Sequence, residues 1–136
     1  MADLVWTATT LLHQSGQKQT RVATETVAEG DWVYEVTVGS TIGVATNTTA
    51  AKAVVFGQAL NGGVTGKDIT VALTGSVINA TATPAIALAA WYVLSAAGAT
   101  SPIADQATLD QVSMVARGTV AGTYQIEIVN TGLVAP

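Results

Sequence analysis

The chain has 136 residues, a formal net charge of -4 and no cysteine, which sets one compact domain as the expectation and excludes disulfide scaffolds, zinc ribbons, iron–sulfur centres and thiol catalysis. Only 10% of the residues are charged, against about 25% in an ordinary soluble domain, so 24 Ala, 21 Thr, 18 Val and 13 Gly must cover the surface or leave it against other proteins. The five cations, Lys18, Arg21, Lys52, Lys67 and Arg117, are scattered, which argues against nucleic acid and against polybasic attachment to a membrane.

The N-terminal stretch MADLVWTATTLLHQ carries Asp3 where a signal peptide has Lys or Arg, so neither a secretion signal nor a membrane anchor is expected. Apolar clusters at Leu4, Val5, Trp6 and at Leu11, Leu12 precede a polar stretch, Gln14 to Arg21, punctuated only by Gly16. Residues 1–27 therefore read as an extended arm that docks on its own domain or on a neighbouring subunit, and residues 28–136 as a single β domain. From Thr20 onward the chain alternates polar and apolar residues with period two between turn signals, the pattern of an all-β protein. In DWVYEVTVG, Trp32, Tyr34, Val36 and Val38 share one strand face and Val33, Glu35 and Thr37 the other. Strands are also expected over Thr41–Thr48, Ala51–Gln58, Asp68–Gly75 with Ile69, Val71 and Leu73 inward, and Thr123–Asn130 with Tyr124, Ile126 and Ile128 inward.

Gly30-Asp31, Asn61-Gly62-Gly63 and Ala121-Gly122 are turn chemistry. The longest apolar run, Pro84 to Ala99, is too short for a membrane span. Inside it, Trp91-Tyr92-Val93-Leu94 lacks polar alternation, so both faces should be covered by the domain core or by a symmetry mate. Ser101-Pro102 reads as an N-cap and first helical position for a short helix over IADQATLDQV, with a long loop as the other reading. Each half also offers an aromatic strand followed by two more, either a decayed duplication or the monotony of small strands.

Chemistry is thin. His13 is the sole histidine and has no carboxylate or nucleophile beside it in sequence, which favours a structural role. Glu25, Glu29, Asp31 and Glu35 lie beside a turn and on a solvent face, where solvated charge outweighs paired-carboxylate catalysis as the reading. Asp105 with Asp110 is the nearest approach to a calcium loop, and the ligand spacing is absent. GGVTGKD departs from a phosphate loop at Asn61 and Asp68, and reads as a hairpin turn. No catalysis, metal or cofactor is expected.

The segments GDWVYEVTVGSTIGVATNTTA, VTGKDITVALTGSV and MVARGTVAGTYQIEIVN together resemble the small capsid cement, or decoration, proteins of tailed bacteriophages, over roughly residues 28–130. Ala89-Ala90 stands before Trp91 where such proteins often repeat a Gly-Asp, and the arm is longer and richer in Trp and Leu. The resemblance implies a small β-barrel or β-sandwich on the outer surface of the virion capsid. Its partner would be the major capsid protein, and it would commonly bind as a homo-trimer, with no cofactor. Leu4, Val5, Trp6, Leu11, Leu12, Trp91 and Tyr92 are the candidate capsid or subunit contacts, followed by Val54 to Phe56. The alternative is another virion β module, such as a head-fibre base, a tail component or a glycan-binding domain.

Overall fold

Period-two alternation dictates the architecture, because successive side chains of one strand can be buried in different layers. A computed structural model describes residues 5–6, 11–46, 52, 54–80, 82–83, 86, 91–94, 100–102, 113–120 and 123–130. Among them run the strands β1 (Val5–Trp6), β2 (Leu12–Ser15), β3 (Lys18–Ala23), β4 (Trp32–Thr37), β5 (Thr41–Val44), β6 (Gly57–Ala59), β7 (Asp68–Ala72), β8 (Val77–Asn79), β9 (Ala82–Thr83), β10 (Trp91–Leu94), β11 (Thr100–Pro102), β12 (Ser113–Val120) and β13 (Thr123–Asn130). The protein is all-β. A closed barrel in the order β3-β5-β4-β6-β7 is accompanied by a six-stranded sheet, β11-β10-β12-β13-β8-β2, and by the pair β1-β9.

The barrel closes because β3 is antiparallel to β7 from Lys18 to Val22 and then parallel to β5 at Val22 and Ala23. Its five strands all contribute to one apolar cluster, Ala23, Val33, Ile42, Ala59, Ile69 and Val71, joined by Val27 and lined by the partly buried Val44, Phe56 and Leu73. The inward reading of Ile69, Val71 and Leu73 holds. A close strand approach fixes Gly57: a Cβ there would fall on the carbonyl oxygen of Ala72 and on a Val71 methyl.

The outer residues of the same strands face the second sheet. Trp32 from β4 and Ala72 from β7 join Leu11, Ile78, Tyr92, Leu94, Val115, Ala116, Tyr124 and Ile126 in a second cluster. Strand β4 is thus covered on both faces at its start, with Val33 inside the barrel and Trp32 between barrel and sheet, both fully buried. Farther along, Val36 and Val38 on the Trp32 face emerge into solvent at 48% and 86% exposure.

Several sequence expectations are corrected. Residues 11–27 do not form an arm: β2 is an edge of the six-stranded sheet, β3 is a barrel stave and Val27 bridges to Gly63. The polar stretch that read as an arm is polar because β2 and most of β3 keep their outer faces in water. The strand expected over Ala51–Gln58 begins only at Gly57. Ser101 and Pro102 belong to β11 rather than to a helix start; β11 is a sheet edge, where proline's missing N–H is tolerated. Residues 103–112, where the helix was expected, lie outside the described residues, as do Asn47, Thr48 and the side chain of Ile128. The internal echo is not topological, since β12 and β13 pair with each other whereas β5 and β7 are not neighbours.

Candidate functional site

Strand parity carries Arg21, two residues before the inward Ala23, and Glu35, two residues after the inward Val33, to one mouth of the barrel. There Arg21 Nε donates to Glu35 Oε2 at 3.2 Å, and the side chains are only 13% and 19% exposed. The guanidinium lies 4.8 Å from the Phe56 ring centroid, a cation–π arrangement. It also donates to Gln19 Oε1 at 2.7 Å and to the Thr20 carbonyl at 2.9 Å, while Glu35 Oε2 accepts the Gly39 N–H at 2.6 Å. The pair is therefore spent on closing the mouth and on fixing the β4–β5 turn, in which Gly39 takes φ 77°.

Around this plug the surface is apolar. Glu35, Val38, Val54, Val55 and Phe56 line a shallow concavity of about 200 Å³. Val38 at the hairpin tip is 86% exposed and Val54 56%. An exposed valine at a hairpin tip departs from the polar residues that are the rule in turns.

Glu25 and Asp31 hydrogen-bond the backbone. Glu25 Oε2 lies against Gly43, where a Cβ would come within 2.7 Å of it, and accepts the Val44 N–H at 3.2 Å. Asp31 Oδ2 accepts the Ala28 N–H at 2.9 Å while its own N–H returns to the Ala28 carbonyl. Burial holds the Asp31 carboxyl above its ordinary value of 3.8, against the opposing Ala28 hydrogen bond and with a smaller push from Glu25. The folded chain thus binds this proton more tightly than the unfolded chain, so the destabilisation stands at neutral pH and is relieved as pH falls through the raised value towards 3.8. Asp31→Asn, whose Oδ1 can still accept the Ala28 N–H, should raise the urea midpoint at neutral pH, with the gain shrinking near pH 3.8. An equal gain at both pH values would show that charge is not the cause.

His13 on β2 sits 3.2 Å from the hydroxyl of fully buried Ser76. That hydroxyl donates to the Gln17 carbonyl at 3.2 Å, which leaves it to accept from His13 and assigns the proton to Nε2. Burial first and Lys18 second hold the imidazole below its ordinary value. The histidine ties the edge strand β2 to Ser76.

Among the described residues no group of His, Cys, Asp and Glu is placed to hold a metal ion, and no helix is long and apolar enough to cross a membrane. Of the predicted contact residues, Leu12 is 52% exposed on β2, whereas Leu11 and Tyr92 are buried in the chain's own core at 7% and 3% exposure. Val5 and Trp6 pair by backbone with Thr83 and Ala82 of the same chain; their side chains, that of Trp91 and the whole of Leu4 lie outside the described residues. Val54 is exposed, Val55 buried and Phe56 half-buried under Arg21. The exposure of Val36 and Val38 was not anticipated from the sequence, although four apolar residues on one face of a strand running into a Gly-Ser turn was a usable signal. No known protein-family model matches the chain, and no curated protein matches it either.

Proposed function

We propose that the protein is a non-enzymatic cement protein of a bacteriophage virion. It binds the outer surface of the assembled icosahedral capsid, against the major capsid protein and as a homo-trimer. The observation that carries this reading is the exposed aliphatic pair Val38 and Val54, which line a concavity at the barrel mouth beside a plugged and neutralised Arg21–Glu35 pair. Such a surface offers apolar contact without free charge, in a chain of which only 10% of the residues are charged. The resemblance over residues 28–130 supports the same reading.

Cementing works by mass action: a protein that binds the shell and not the dispersed subunits raises the free energy of disassembly by its binding energy, summed over many sites. Apolar contacts suit this, because their strength is not screened as ionic strength changes. A glycan-binding module would need exposed aromatic platforms, and Trp32 is fully buried.

The test is co-sedimentation with expanded heads of the source particle, counting copies per shell by quantitative mass spectrometry. Saturable binding at a stoichiometry near that of the major capsid protein is expected, persisting at several hundred millimolar salt. Val38→Glu and Val54→Glu, at positions too exposed to affect folding, should each weaken binding on the order of tenfold. Unaltered binding by both variants would remove the barrel mouth as the contact. A few copies at one vertex would move the assignment to a fibre or tail component.

A further inference from the structure

The Asn61-Gly62 step, which reads in sequence as turn chemistry, does more in the fold. Strands β6 and β7 pair through Ala59 and Val71, and the ladder continues with Leu60 N–H to the Thr70 carbonyl at 2.8 Å. At the next position the backbone of the first strand turns away, because Gly63 exchanges hydrogen bonds with Val27 in both directions at 2.9 Å. The Asn61 side chain takes over the pairing. Its Oδ1 accepts the Thr70 N–H at 2.7 Å and its Nδ2 donates to the Asp68 carbonyl at 3.1 Å. A carboxamide has the donor and acceptor of a peptide group, and here it occupies a peptide's place in the sheet.

The same amide is the electrophile of the best-known spontaneous reaction of an Asn-Gly sequence, and the nucleophile is at hand. Gly62 is exposed, and among the described residues its N–H donates no hydrogen bond. We propose that Asn61 is a latent deamidation site, held off by the β6–β7 ladder and released only when that strand pair opens. In the reaction the Gly62 nitrogen attacks Asn61 Cγ, forming an N–C bond. The Cγ–Nδ2 bond breaks, ammonia leaves carrying the proton from Gly62, and the succinimide is then opened by water to aspartate or isoaspartate.

Rotation of the carboxamide towards Gly62 requires both ladder bonds to break, so the folded barrel slows the first step. The product cannot re-form the ladder. A carboxylate has no hydrogen to offer the Asp68 carbonyl and meets it oxygen to oxygen, and isoaspartate adds a backbone methylene as well. Each opening that proceeds to reaction is therefore recorded permanently, and the altered barrel opens more readily than before.

The experiment uses the full chain, aged in mildly alkaline buffer either folded or held unfolded in guanidinium. Trypsin cuts after Lys52 and Lys67 and isolates residues 53–67, in which Asn61 is the only asparagine, so the acid form is read directly by mass spectrometry. The unfolded chain should convert at least about tenfold faster than the folded chain, while Asn79, followed by Ala80, stays largely intact in both. Equal rates in the two states, or no conversion even when unfolded, would overturn the proposal. Asn61→Asp supplies the second arm. It should unfold at lower denaturant than the parent, and an unchanged midpoint would show that the amide is not part of the ladder.

Discussion

Trp32→Ala is expected to lower the unfolding free energy by about 3–5 kcal/mol, the range for deleting a large buried aromatic side chain together with the cavity it leaves. The site offers little relief. Trp32 is fully buried and lies in the cluster shared by barrel and sheet, while its backbone is held by the register with Gln58 and by Ala45 N–H donating to its carbonyl at 2.8 Å. Neither side can collapse into the vacancy without shifting the other. With about 5–15 kcal/mol of total stability in a typical domain, such a loss removes a large share. Urea denaturation with a two-state fit would read it as a lower midpoint at similar slope. A loss under about 1 kcal/mol would mean that the two layers do not depend on this residue for their contact.

The second large effect comes from a polar group. Gln58 on β6 is fully buried: its Nε2 donates to the Gly30 carbonyl at 3.1 Å, and its Oε1 accepts the hydroxyl of Tyr124 from β13. One amide thus ties a barrel strand both to its neighbouring turn and to the second sheet. Burial drives the Tyr124 phenol well above its ordinary value, with the Gln58 hydrogen bond only partly opposing, so the hydroxyl stays neutral and donates. Tyr124→Phe leaves the amide oxygen without this donor, and Gln58→Leu removes both the acceptor of the hydroxyl and the donor to Gly30. Each should cost about 1–3 kcal/mol. The double variant should cost less than the sum, with a coupling of about 0.5–3 kcal/mol in a denaturation cycle, because the second change removes a group the first had already stranded. Strict additivity would mean that the bond contributes nothing specific to the docking of the two layers.

The all-β class, the inward residues of β7, and Tyr124 and Ile126 of β13 were legible, because a half-buried strand writes its inside and outside into alternate letters. Barrel closure was not. It depends on β3, whose sequence KQTRVA is polar at most positions since only Ala23 reaches the apolar cluster and Arg21 turns to the mouth. A stave of that kind has the composition of a solvated arm. The doubly covered start of β4 was hidden for the opposite reason: Trp32-Val33 is apolar at both parities, which leaves open which residue goes into the barrel and which to the second sheet. Gln58 could not be singled out, although it stands between Gly57 and Ala59 in an otherwise apolar run, because its partners Gly30 and Tyr124 are distant in sequence. The exposure of Val38 was not legible, because in sequence it reads as the continuation of the Trp32 face.

The placement of β8 also fixes an order of assembly. Every barrel strand comes from the contiguous span 18–72, whereas β8, at residues 77–79, is hydrogen-bonded to β2, before the barrel, on one side and to β13, residues 123–130, on the other. During synthesis the barrel can therefore close while some fifty residues of its covering sheet, up to β13, are still to be made. Until β13 emerges, Trp32 and Ala72 present their apolar side to whatever is nearby, and β2 has only a three-residue partner to pair with. Pairings that span so much chain close slowly. The nascent chain is thus most exposed to aggregation in the interval between a finished barrel and an unfinished lid, and slowing translation past β8 would lengthen that interval rather than help the protein fold.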